Sequence, residues 1–81
     1  MLRKEYLVEI LKTDPALLEE DRTVQHTRIC KGRREVIDYI NNTFNGAKIC
    51  TKDILQTKLH NSGNKKLNKI LRDFINVRVV A

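Results

Sequence analysis

The sequence predicts a mainly α (α+β) fold, in which a helical arm precedes a three-helix body closed by short strands. Three observations predict it. Leu67, Ile70, Leu71, Phe74 and Ile75 form an apolar stripe with the 3.6-residue period of a helix. Asp14-Pro15, Asn45-Gly46 and Thr51 are helix start and stop signals spaced along the chain. Val77-Arg78-Val79-Val80 is a β-branched run near the C-terminal end. With 81 residues, 41% of them hydrophobic and no Trp, the chain suits one small domain. Such a domain buries only about 60–65% of its unfolded surface, too little for a pocket enclosed by a second domain.

Residues 2–12 read as a short amphipathic helix, with Tyr6, Leu7, Ile10 and Leu11 on one face and Lys4, Glu5, Glu9 and Lys12 on the other. Asp14 is placed to cap a second helix, with Pro15 at its first position, where a missing N–H costs nothing. Arg22 to Arg34 is either a continuation of that helix or a basic linker ending at Gly32. Val36, Ile37, Ile40 and Phe44 then line a helix from about Arg34 to Phe44, stopped by the left-handed signal Asn45-Gly46. Ala47 to Cys50 has room for a small strand with Ile49 inward. Thr51 caps a helix over about 52–60, with Asp53 in its first turn and Ile54, Leu55 and Leu59 as its stripe. His60 to Asn64 is a turn, and Ser62 or Asn64 caps a third helix that runs to Asn76. A strand over Val77–Val80 completes the order. The expected division is an acidic helical arm and basic linker over 1–32, and a compact body over 33–81.

Helix, short strand, helix, turn, helix, strand is the element order of a winged helix-turn-helix. The residues that carry the likeness are Thr51-Lys52-Asp53-Ile54-Leu55, the run from Asn64 to Phe74, and Asn76-Val77-Arg78-Val79. This run resembles the C-terminal winged-helix segment of phage and mobile-element primase–helicases of the virulence-associated protein E type. Those segments also place a threonine-started helix before a basic helix of the form "riLrxlGw" and a short basic strand. The resemblance covers about the last 49 residues and implies DNA binding in phage replication or transcription. With Ala81 one strand past the third helix, the expected wing is truncated. The tight helix-turn-helix signature is absent, because Leu59 stands where a small residue would precede Gly63 by four positions.

Charge points the same way. The net +6 divides into residues 1–21, with three bases and six acids (−3), and residues 22–81, with thirteen bases and four acids (+9). A basic excess of this size favours polyanionic partners. On the third helix the polar face holds Lys65, Lys66, Asn68, Lys69, Arg72 and Asn76. Lys and Arg engage phosphates or guanine, and Asn reads adenine, so this face suits a DNA major groove. Lys48, Lys52, Lys58, Arg78, Arg33 and Arg34 are the expected backbone contacts. The expected function is therefore a duplex-DNA-binding module. The alternative is a small adaptor or inhibitor that holds a protein partner, through the body or through the acidic segment Asp14–Asp21 within residues 2–21.

Other chemistries find no support in the residues. His26, Cys30, Cys50 and His60 lack the paired-ligand spacing of structural zinc, so no metal or cofactor is expected. Both cysteines read as small, free, buried thiols. There is no glycine-rich phosphate loop, no zinc-protease motif and no nucleophile elbow, so the chain does not read as an enzyme. Asn41-Asn42-Thr43 matches a glycosylation sequon but falls within a predicted helix. Aromatic residues are too few for a platform that stacks single strands, with only Tyr39 off the apolar stripes. Apolar runs of two or three residues cannot span a bilayer, and Met1-Leu2-Arg3-Lys4-Glu5 lacks a signal core. A soluble, cytoplasmic protein is expected.

Overall fold

The computed structural model describes residues 4–12, 23–60 and 67–81. Its elements are β1 (Glu5–Leu11), β2 (Val24–Lys31), α1 (Gly32–Thr43), α2 (Lys52–His60), α3 (Lys69–Asp73) and β3 (Ile75–Val79). The three strands form one antiparallel sheet in the order β2-β1-β3. This overturns the mainly helical, winged-helix expectation. The fold is α+β, and its centre is a strand in the stretch whose local pattern predicts a helical arm.

The physical reason lies in β1. Its burial alternates strictly, with Tyr6, Val8 and Ile10 at most 3% exposed and Glu5, Leu7, Glu9 and Leu11 half-buried. A helical period puts Leu7 and Leu11 in the core and leaves Val8 at its edge, whereas a two-residue period buries Val8 completely. Seven residues with apolar groups on both faces satisfy either period locally. Pairing decides between them. Val8 sits opposite Arg28 on one side and Val77 on the other, so β1 fills both of its hydrogen-bonding edges. A short amphipathic helix here would bury one stripe and leave β2 and β3 without their shared partner.

The stretch Arg22 to Arg34, whose local pattern admits a helix or a linker, contains β2. Its β-branched Val24, Thr27 and Ile29 suit a strand, and a register irregularity falls opposite Ile10/Leu11. Only Cys30 of β2 is buried. No strand forms over 47–50. The C-terminal helix is also shorter than its stripe. Asn68 has extended backbone (φ −60, ψ 139) and caps α3 by accepting from the Ile70 N–H at 2.8 Å. Phe74 ends the helix, and Ile75 enters β3 opposite Ile10. The apolar stripe is thus divided, Leu71 entering the core from the helix and Ile75 from the strand.

Two helices match their expected bounds closely, because their signals are local. In α1, Val36 and Ile40 are fully buried, and the helix stops at Asn45 (φ 61) and Gly46 (φ 77). A Cβ on Gly46 would meet nothing within 4 Å, so the left-handed backbone alone calls for glycine there. In α2 the Thr51 hydroxyl accepts from the Ile54 N–H at 3.3 Å, the expected cap. The connection between α1 and α2 is clamped by Asn41. Its Oδ1 accepts from the Cys50 N–H at 2.8 Å and its Nδ2 donates to the Cys50 carbonyl at 3.0 Å.

All three helices contribute to one core against the same face of the sheet: Val36, Ile40, Leu55 and Leu71 pack with Tyr6, Val8, Ile10 and Ile75. No polar or charged residue is buried among those described. The sheet draws β1 and β2 from residues before 33 and β3 from after it, so strands from both stretches share this core. The helix expected from Asp14 and the turn residues 61–64 lie outside the described residues.

Candidate nucleic-acid interface

α1 follows β2 directly through Gly32 (φ 80), a backbone turn open to glycine, and this puts Arg33 and Arg34 in the first turn of the helix. Because Val36 and Ile40 face the core, Arg33 and Ile37 occupy the flank next to it. Lys52 and Asp53 hold the corresponding place in the first turn of α2, one turn ahead of Gln56. The flanks meet in a cleft of about 340 Å³ lined by Arg33, Arg34, Ile37, Lys52, Asp53, Leu55 and Gln56. Three cations and one carboxylate border it, leaving a net +2.

Arg33 is the fixed member of the group. Its guanidinium donates to the Tyr6 hydroxyl at 3.4 Å and to the Gln56 side-chain carbonyl, tying β1 to α2. Because guanidinium is only a donor, Gln56 must turn its oxygen toward Arg33, which leaves its amide NH2 to donate elsewhere. Arg34 lies in the open, its side chain 84% exposed, with Asp38 at 3.6 Å one turn on. An exposed i,i+4 pair of this kind contributes little and exchanges readily for a phosphate. Lys52 is also exposed.

The remaining expected contacts are dispersed. Lys48 is exposed in the α1–α2 connection, and Lys69 on α3. Asn68 is spent on structure, since it caps α3 and also donates to the Ile49 carbonyl at 3.2 Å. Arg72 lies 3.4 Å from Asp73. Lys58 is half-buried, and burial pulls its ammonium below the ordinary lysine value while Asp73 counters the shift. It faces the body of the protein, away from the role of an outward backbone contact. Arg78 pairs with Leu7 on the opposite face of the sheet from the helices. Lys65 and Lys66 lie outside the described residues. A helix of five residues makes little more than one turn, so α3 presents a small surface to a groove.

Ile37 and Gln56, the apolar floor and the polar side of the cleft, carry no functional mark in the sequence. Ile37 reads as core and Gln56 carries no charge, so no signal marked either before α1 and α2 were packed together. Tyr39 lies half-buried beneath Arg28, whose guanidinium carbon is 5.4 Å from the ring centroid, with Glu35 at 3.7 Å from the same guanidinium. Burial raises both the Tyr39 hydroxyl and the Cys30 thiol above their usual ranges, and pushes Cys50 up to about 11. Both cysteines are buried and free. No group of three or more metal-ligating side chains occurs among the described residues, and no helix there is long and apolar enough to cross a membrane.

No protein family, curated protein or solved structure matches this chain.

Proposed function

We propose that this chain is a nucleic-acid-binding module that engages phosphates at the cleft between α1 and α2. The observation that carries this reading is the convergence of Arg33, Arg34 and Lys52, from two helices, on one cleft in a stretch with net charge +9. Arg grips phosphate oxygens bidentately, and Lys supplies a point charge. Exposed Lys48 and Lys69 add to the attraction for a polyanion. The third helix, expected to read a major groove, gives way to the cleft as the main contact, because α3 is short and Asn68 and Arg72 are engaged with the protein itself.

An electrophoretic shift with duplex and single-stranded oligonucleotides over a salt series tests the reading. If about five phosphates are neutralised, log affinity falls against log salt with a slope near −4 to −5. Arg34→Ala with Lys52→Ala should flatten that slope by about 2 while the far-ultraviolet spectrum is unchanged. A slope unaffected by the double substitution rejects the cleft as the contact. Absence of any shift at low salt favours the protein-adaptor alternative, for which exposed Ile29 beside Leu7 on the helix-free face of the sheet offers an apolar surface.

A further inference from the structure

The cleft has more than charge. A row of phosphates needs only a convex or grooved basic surface, but this site has depth, about 340 Å³, and an apolar floor. Half-buried Ile37 forms that floor, with fully buried Leu55 beneath it, and the cationic side chains Arg33, Arg34 and Lys52 border it. Cavities that hold small ligands begin at about 300 Å³ and combine apolar walls with a few placed polar groups. Gln56 supplies such a group. Arg33 occupies its oxygen, and the free amide NH2 is a donor for an acceptor on a ligand. Arg33 is itself anchored to the Tyr6 hydroxyl on the central strand, so this wall of the cleft is braced before any ligand arrives.

From this combination we infer that the cleft receives one unstacked nucleotide, its base against Ile37 and its phosphate between Arg34 and Lys52. The inference rests on the nucleic-acid reading and narrows it to strands with unpaired bases. A base inside a duplex is stacked above and below and cannot enter a cleft, so a duplex meets only the charged rim. A single strand, a loop or a frayed end offers base and phosphate together. One cleft of this size takes one base, which fits a chain with too few aromatic side chains for a stacking platform.

The test compares three ligands of equal length and charge per strand on the full chain at low salt: a single-stranded oligonucleotide, the same strand with abasic sites throughout, and the blunt duplex. The expected result is about tenfold tighter binding of the intact single strand than of the abasic strand. The duplex should bind like a surface ligand, with affinity set by salt alone. Ile37→Asn makes the half-buried floor of the cleft polar, keeps every cation and adds no aromatic ring. It should cut the preference for the intact strand to about twofold or less. Equal affinity for intact and abasic strands overturns the inference while leaving phosphate binding standing, as does a full preference that survives Ile37→Asn. No binding of any of the three overturns the nucleic-acid reading together with the inference. The abasic comparison uses the unaltered chain, so it stands even if the asparagine disturbs packing.

Discussion

Val8 and Leu7 are neighbours in sequence, and their relative importance reports directly on the architecture. As the middle of a central strand, Val8 is fully buried, with no exposed surface, while Leu7 points to the opposite face of the sheet and is half-buried. Val8→Ala removes two methyl groups from the core. At about 0.8 kcal/mol each, the lost transfer energy is about 1.6 kcal/mol. A residual cavity of up to about 50 Å³ adds roughly 1 kcal/mol, at about 24 cal/mol per Å³. The expected loss is therefore about 2–3 kcal/mol, which in a domain of this size lowers Tm by about 10–20 °C. Leu7→Ala removes a larger group, but from a half-open face with no enclosed cavity, so its cost is about 1 kcal/mol or less. Urea titrations of both variants, followed by circular dichroism, give the two values under one set of conditions. If residues 2–12 were helical, Leu7 would lie in the buried stripe and Val8 at its edge, and the order of costs would reverse. A Leu7→Ala loss equal to or greater than that of Val8→Ala would refute the central-strand assignment.

Two further predictions concern the frame that holds the cleft. Asn41→Ala removes both hydrogen bonds to the Cys50 backbone and should cost about 2 kcal/mol, whereas Asn42→Ala, at an exposed neighbour, should cost under about 0.5 kcal/mol. Equal thermal stability of the two variants would remove the clamp from the account. The second prediction is a pH dependence. Burial holds the folded Cys50 thiol at about 11 against 9.0 for the free group, so the folded state keeps a proton that the unfolded state releases. Its contribution to the pH dependence is flat below pH 9. Between pH 9 and 11 it lowers stability as pH rises, at up to about 1.4 kcal/mol per pH unit. Cys50→Ala should flatten the wild-type decline over that window, and an unchanged slope in denaturant midpoints would exclude Cys50 as its source.

Part of the candidate site is visible in the residues themselves. Arg33, Arg34 and Lys52 carry charge in any conformation, and the basic excess after residue 21 already marks them as candidates. Their convergence, however, depends on how α1 packs against α2, eighteen residues apart at Arg34 and Lys52, and no local pattern encodes that angle. Asn68 and Lys58 show the converse. Both belong to residue types that contact nucleic acid, yet one spends its side chain capping α3 and holding Ile49, and the other is drawn in beside Asp73. A side chain's availability is a property of its surroundings.

By itself the sequence determined α1 and α2 almost to the residue, together with the left-handed stop at Asn45-Gly46 and the Thr51 cap. These are features whose hydrogen bonds close within four residues, so the determinants and the structure occupy the same short window. Only the tertiary structure decided that Glu5–Leu11 is a strand. That segment has apolar residues to satisfy a helix or a strand, and its backbone partners lie at residues 24–31 and 75–79, up to some seventy positions away. The same remote pairing draws Ile75 out of the last helix and shortens it. Helix bonds are local and sheet bonds are not. A reading from local pattern therefore recovers the helices that end on their own signals and misses the strand whose identity depends on its neighbours.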